Sequence, residues 1–307
     1  MSRVAYASAP LLLNLEPDGH GSFRLASTWC NLGLWPIGPS APLTFRQACE
    51  ALAVALGRAA GLAEGDAVLD VGVGYADQTS VWATHFGVRR VLAIEPSASH
   101  IAAAREAQAS GRLAGGDVVE LRVGSAASIE ELLRADAQLK GRDVGGACFD
   151  VVLCLDCAYH FPSRSAFLQS AARALRPGGR FAAVDLVVAS PDERSRTLRW
   201  RSLWRTAARR LVAAACDIPS ENLHGVDAYN AALVAAGLQP VGVEVLTARV
   251  LVPFAAHATA QRRALATELS MAQALFLRVI AALFAFVAWA ELFEVVLIRA
   301  ARPRPRP

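Results

Sequence analysis

The chain has 307 residues, 54% of them hydrophobic, and a formal net charge of +4. This length and apolar content exclude a disordered or fibrous protein and suffice for one large α/β domain with insertions or two small domains. The charge is small for the length and the arginines are scattered, which argues against a nucleic-acid partner and leaves only local basic surfaces.

Residues 1–60 precede any repeating pattern and read as an N-terminal helical cap segment ahead of a main domain over residues 61–307. Within the cap, "APLLLNL" is followed so soon by Glu16 and Asp18 that it makes a poor secretion signal. The six cysteines show no disulfide rhythm, in keeping with a reducing, cytoplasmic setting.

From about residue 67, short apolar runs alternate with helical patterns: "AVLDVGV", "VLAIEP", "VVELRV", "FDVVLCL" and "RFAAVDLVV". Runs rich in Val and Leu without polar alternation predict parallel strands covered on both faces, and the rhythm is βαβ. Helices are predicted over about 77–86, 97–110, 126–137 and 164–175, the last stopped by "RPGGR" before the next strand.

The first strand runs into "VLDVGVGYADQ", where Asp70 and Val71 precede Gly72, Gly74 and Ala76 and a helix follows. Glycines at such a turn let a ligand approach the backbone closely, and the helix N-terminus offers free N–H groups. The last glycine of a dinucleotide fingerprint is replaced by Asp77. An acid there repels a pyrophosphate, so a cofactor without phosphates fits better than NAD. Glu95, at the tip of the second strand, can accept hydrogen bonds from ribose hydroxyls.

At the end of the fourth strand stands "CLDCAYHF", Cys154–Phe161. A Cys-x-x-Cys beside Tyr-His suits a redox pair, half of a metal site or a pocket wall. No second Cys or His pair follows at zinc spacing, so no metal is expected, and strand alternation leaves Cys154 and Cys157 no need to meet. Tyr159 and His160 carry the chemistry, His160 either as a proton acceptor or as a pocket wall.

Residues 189–225 lie outside the strand rhythm and form a lid insertion; a second spans 256–290. Arg194, Arg196, Arg199, Arg201, Arg205, Arg209 and Arg210 interleave with Leu198, Trp200, Leu203 and Trp204. A basic amphipathic helix over 194–210 can make peripheral contact with an anionic membrane, or it is a solvated lid face whose apolar stripe covers the core. Two more strands are predicted in "GLQPVGVEVLTARVLV" and "LFEVVLIRAAR", separated by a helical stretch over about 257–290. Its run "VIAALFAFVAWA" offers 12 residues before Glu291, short of the ~20 that span a bilayer, so a buried helix packed on the sheet is expected.

With these motifs in order, the chain resembles the class I S-adenosylmethionine-dependent methyltransferases, whose first motif is an acid-x-Gly-x-Gly-x-Gly turn, here Asp70, Gly72 and Gly74 with Ala76 at the last glycine. The resemblance covers about residues 48–300. It implies a Rossmann-like α/β fold: a seven-stranded, mostly parallel sheet with an antiparallel last strand, helices on both faces and helical lid insertions. "WCNLGLW", Trp29–Trp35, resembles the pocket-closing segment of small-molecule members of the tocopherol, sterol and natural-product kind.

By the same resemblance the cofactor is S-adenosylmethionine. Asp70, Gly72, Gly74, Ala76, Asp77 and Gln78 lie at its methionine end, Glu95 and Pro96 at the ribose, and Ser125 and Ala126 at the adenine; Leu155, Asp156 and Trp35 complete the pocket. Ser125 stands where the family commonly has an acid. The implied partner is a small, largely apolar methyl acceptor with an O, N or C nucleophile. A cofactor-binding regulator without catalysis and an NAD-dependent oxidoreductase are the alternatives, and the oligomeric state is left open.

Overall fold

A computed structural model of the chain describes residues 9–38, 43–135, 148–190 and 199–304. Its first half runs β1 (Leu15–Pro17), β2 (Phe23–Leu25), α1 (Phe45–Ala59), β3 (Ala67–Val71), α2 (Asp77–His85), β4 (Arg90–Glu95), α3 (Ala98–Ala109), β5 (Val119–Val123) and α4 (Ile129–Ala135). The second half runs β6 (Phe149–Leu155), α5 (Arg164–Ala174), β7 (Leu175–Val188), α6 (Arg199–Ala215), α7 (Val226–Ala235), β8 (Gln239–Val245), α8 (Thr247–Ala264), α9 (Met271–Trp289) and β9 (Phe293–Ala301).

The chain divides into two compact units, one of Met1–Ala53 with Leu246–Glu291, the other of Val54–Val245 with Leu292–Pro307. The larger holds a seven-stranded sheet in the order β5-β4-β3-β6-β7-β9-β8. β5 through β7 pair in parallel, and β9 runs antiparallel to both β7 and β8. The predicted mostly parallel sheet with its reversed last strand is thus observed. Every residue of β3 and β6 is buried, which is why those segments read as unbroken apolar runs.

Two strand boundaries differ from the sequence expectation. β7 begins at Leu175 and takes in "RPGGR", with the register slipping between Phe149 and Val151 of β6 so that Arg176–Gly179 bulges out. The expected strand over "LTARVLV" is instead the first turns of α8. Val250, Leu251, Phe254, Ala255, Ala258 and Gln261 are buried at a spacing of three and four, so the period changes from 2 to 3.6 just past Val245.

In the smaller unit, Gln261 on α8 donates to the carbonyls of Leu12 (2.9 Å) and Leu15 (2.7 Å), tying down the short turn Ala9–Asn14 and the β1–β2 ribbon. Helix α9 corrects the expectation of a buried C-terminal helix. It starts at Met271, where Ser270 and Gln273 form a capping box, and is long and apolar enough to cross a membrane by length and composition alone. Only 17% of its apolar window is buried, and it lies along α8.

The arginine-rich segment is described only in part. Arg194 and Arg196 lie outside the described residues. Farther along α6, Arg205 is buried and Arg209 donates to the carbonyls of Ala189 and Leu292 (2.9 Å each), while Leu203 and Leu211 are exposed. A guanidinium offers five N–H groups, and here they satisfy carbonyls where β7 ends and β9 is about to begin.

One ion pair is fully enclosed in the larger unit. Arg164, the first residue of α5, places Nε 2.9 Å from Oδ2 of Asp185 on β7 and donates through Nη2 to Oδ1 at 3.3 Å. Its remaining donors reach the carbonyls of Asn222 (2.8 Å) and Leu186 (2.9 Å). Arg164→Met leaves Asp185 buried and uncompensated, for an expected loss of about 3–5 kcal/mol in urea unfolding. Adding Asp185→Leu is expected to restore a large part of it, because the orphaned charge is then gone.

Candidate active site

The sheet order places β3 between β4 and β6, so the strand order reverses at β3. Ligands of open α/β sheets bind in the crevice beyond the C-terminal strand ends at such a reversal. The loops after β3, β4, β5 and β6 carry most of the residues singled out in the sequence.

After β3 the chain turns sharply. Gly72 donates to the carbonyl of Ile94 at 2.8 Å with φ of 79°, and a Cβ built there would stand 2.5 Å from Cys157 Sγ. Only glycine fits that φ and that approach. Gly74 (φ 56°) follows, and Ala76 takes the left-handed conformation (φ 67°) just before α2, so an alanine occupies backbone space usually left to glycine. Asp77 opens α2, and Gln78 is buried.

Asp70 is fully buried. Trp82 Nε1 donates to its Oδ2 at 2.7 Å, while Oδ1 meets no donor at hydrogen-bond geometry. Burial pushes its pKa up to about 7, against the Trp82 hydrogen bond and smaller contributions from Gln78 and the Val71 backbone. Trp82 was not singled out in the sequence. It lies four residues beyond Gln78 on the same face of α2, a spacing that could have marked it.

Glu95 ends β4 and is committed to loop backbone. Its Oε2 accepts the Gly74 N–H (3.0 Å) and its Oε1 the Ser97 N–H (3.1 Å), with His100 Nδ1 3.4 Å from Oε1. His100 in turn lies 4.3 Å, ring to ring, from Tyr75 of the glycine turn. Pro96 beside it is exposed. The Gly124 N–H donates to the Glu95 carbonyl at 3.0 Å, which sets the neighbouring loop with half-buried Ser125 and buried Ala126.

Leu155 ends β6, and Asp156 follows at φ 59° with its N–H on the Val184 carbonyl (2.9 Å). Tyr159 donates its hydroxyl to Asp156 Oδ1 at 3.2 Å and lies 4.3 Å, ring to ring, from His160. Burial, then the negative charge of Asp156, raise the Tyr159 pKa far above the ordinary phenol value, so Tyr159 is a donor and not a base. His160 Nδ1 is 3.5 Å from the Asp217 carbonyl, and partial burial lowers its pKa below the ordinary imidazole value against that contact. It is neutral near pH 7, and an N–H on Nδ1 facing the carbonyl leaves the Nε2 lone pair free.

Asn222, another residue the sequence did not single out, holds this loop. It donates to the carbonyls of Tyr159 (3.1 Å) and Phe161 (2.7 Å) and accepts the Arg164 N–H (3.0 Å). Nothing local marks it, because its partners lie about 60 residues away in the chain.

The expectation that the two cysteines do not meet is overturned: Cys154 and Cys157 stand 3.2 Å apart, Sγ to Sγ, and Cys157 also donates to the Val71 carbonyl at 3.3 Å. The short helical turn at Ala158–His160 folds Cys157 back beneath Gly72, which strand alternation alone does not capture. Burial raises the Cys154 pKa; its hydrogen bond to Cys154 and then burial raise that of Cys157, so both stay thiols. Among the described residues no three metal-ligating side chains converge. Trp35 belongs to the smaller unit, where it is buried, donates to the Leu32 carbonyl (3.0 Å) and packs against His257.

A family model described as a methyltransferase domain matches residues 69–183, the segment that carries β3 to β7. Among curated proteins, an erythromycin 3''-O-methyltransferase of Saccharopolyspora erythraea is 30% identical over 179 residues, or 58% of this chain and 52% of that one. The chain thus spans about half the length of that relative. A protein from Galdieria sulphuraria assigned as a sarcosine dimethylglycine methyltransferase superposes with a TM-score of 0.69 at 17% identity, over 89% of this chain and 93% of that one. Geranyl diphosphate C-methyltransferase from Streptomyces coelicolor A3(2), solved with S-adenosyl-L-homocysteine, does so at 0.63 and 18% identity, over 96% and 92%. At such identities the superpositions speak for the fold alone. Residues 69–183 match a methyltransferase domain.

Proposed function

We propose that this protein transfers the methyl group of S-adenosylmethionine directly to an oxygen, nitrogen or carbon nucleophile of a small, largely apolar molecule. The observation that carries the proposal is the buried Asp70 carboxyl at the head of the glycine turn, with one oxygen lacking a donor. A buried acceptor without a partner costs stability unless a ligand supplies one, and the amine of the cofactor's methionine end has the matching chemistry. The erythromycin methyltransferase similarity supports a small-molecule acceptor. The six free cysteines support a reducing, cytoplasmic setting.

The residues fit this cofactor in other respects. Gly72 and Gly74 leave the backbone bare of side chains, and Glu95 already fixes the turn while keeping lone pairs for hydroxyl donors. Ser125 and Ala126 would border the adenine, and Gln78, Asp77, Pro96, Leu155 and Asp156 the remainder. The cofactor supplies an electrophilic methyl group on a positive sulfur. The protein's part is to hold the acceptor in line and to take a proton where the nucleophile has one. In this reading neutral His160 would take that proton through Nε2, with Tyr159 beside it.

Three measurements test the proposal. Titration calorimetry is expected to detect S-adenosylmethionine and S-adenosylhomocysteine but not NAD, and Glu95→Ala to weaken binding by about 1.5–3 kcal/mol. A cation beside Asp70 favours its carboxylate, so its pKa falls on binding. Binding near pH 7 is therefore expected to release protons, seen as a heat that depends on the buffer's ionisation enthalpy, and affinity is expected to drop as pH falls through 7. With a protonated nucleophile, His160→Gln is expected to lower kcat by about 10²-fold or more and to remove the acid limb of the pH profile, with cofactor affinity little changed. Unchanged turnover would reduce His160 to a pocket wall.

A further inference from the structure

Helix α9 carries a single charged side chain, Arg278, and leaves most of its length exposed. Its exposed positions are 271, 272, 275, 278, 279, 282, 285, 286 and 289; six of them, 271, 275, 278, 282, 285 and 289, are spaced alternately by four and three residues, the seam repeat of helices that pair along their length. On or beside this seam Met271 is 92% and Trp289 76% exposed, and Leu275 and Val279 more than half. The opposite face, with Leu277, Ala281 and Val287, is buried. Between α8 and α9 runs a groove of about 610 Å³ lined mostly by alanines, among them Ala256, Ala260, Ala285 and Ala288, with Val252 and Trp289 also on it and with Thr259 and Arg263 as its polar members.

We propose that this face seats a second copy of the chain, with the two α9 helices antiparallel about a two-fold axis near Ile280. Side chains on the seam are complementary under that operation. Met271 faces the second copy's Trp289, a favourable sulfur–aromatic pairing. Leu275 meets Ala285, and Arg278 meets Ala282, whose small side chain lets the arginine stem lie along the seam with its charge at the edge. An isologous contact needs this kind of self-complementarity. The alanine-lined groove receives the ridge of a helix. Val252, Met271, Leu275, Val279, Phe286 and Trp289 are all exposed large apolar side chains, from 38% for Phe286 to 92% for Met271, the kind of surface that an interface core buries. A lipid surface suits the face less well, because helices that lie on membranes are rich in Lys and Arg along their polar side and α9 has one cation.

The test is sedimentation velocity of the full chain at micromolar concentration, with and without phosphatidylcholine–phosphatidylglycerol vesicles. The wild type is expected to sediment as a dimer and to stay off the vesicles. Leu275→Glu, on the large side of the seam, and Ala285→Arg, on the small side, are both exposed positions expected to give folded monomers with unchanged S-adenosylmethionine binding. A monomeric wild type, a dimer untouched by both substitutions, or a monomer that floats with the vesicles would overturn the proposal, the last by assigning the face to lipid.

Discussion

β3 hydrogen-bonds to β4 on one side and to β6 on the other, so the chain leaves it in opposite directions and the C-terminal edge of the sheet parts at that strand. Every candidate site residue of the larger unit follows from this parting. It brings the Gly72 turn over the Cys157 thiol and hangs the turn on the Ile94 carbonyl at the tip of β4. Glu95, one residue on, then reaches back to Gly74. A residue longer at position 72 would push β6's loop away and loosen the turn at once.

Two carboxyl groups of the sheet, Asp70 and Asp185, have no exposed surface at all, and the fold treats them differently. Asp185 lies beside Arg164, whose other donors reach Asn222 and Leu186, so its charge is compensated inside the protein. Asp70 has only the Trp82 indole as a strong donor, and burial raises its pKa to about 7. The first arrangement is a closed network, linked through Asn222 to the loop of Tyr159 and His160. The second is open on one oxygen, the feature on which the proposed cofactor contact rests.

The tail shows how far apolar runs can be trusted. "VVLIRA" is buried in β9 because it lies between β7 and β8. The equally apolar stretch just before it forms α9 and stays mostly exposed. Composition reports how much apolar surface a segment has; it does not report which segment covers it. Likewise, Arg205 of the basic run is buried and Arg209 donates to the carbonyls of Ala189 and Leu292, placements that the run itself does not express.

The features legible in the amino-acid order are local. Unbroken Val and Leu runs specify parallel strands, and the glycines after Asp70 specify a turn open to a ligand; Glu95 sits at a strand tip by simple counting. These features depend on periods of two and 3.6 residues and on the φ range of glycine, which act within a few positions. Contacts made across long stretches of chain arise only in the packed fold. Asn222 on the Tyr159 loop, the Cys154–Cys157 approach beneath Gly72 and the open oxygen of Asp70 all depend on which groups packing brings together and which it leaves dry. Burial and pairing of polar groups are properties of the assembled core, so no segment of the chain carries them alone.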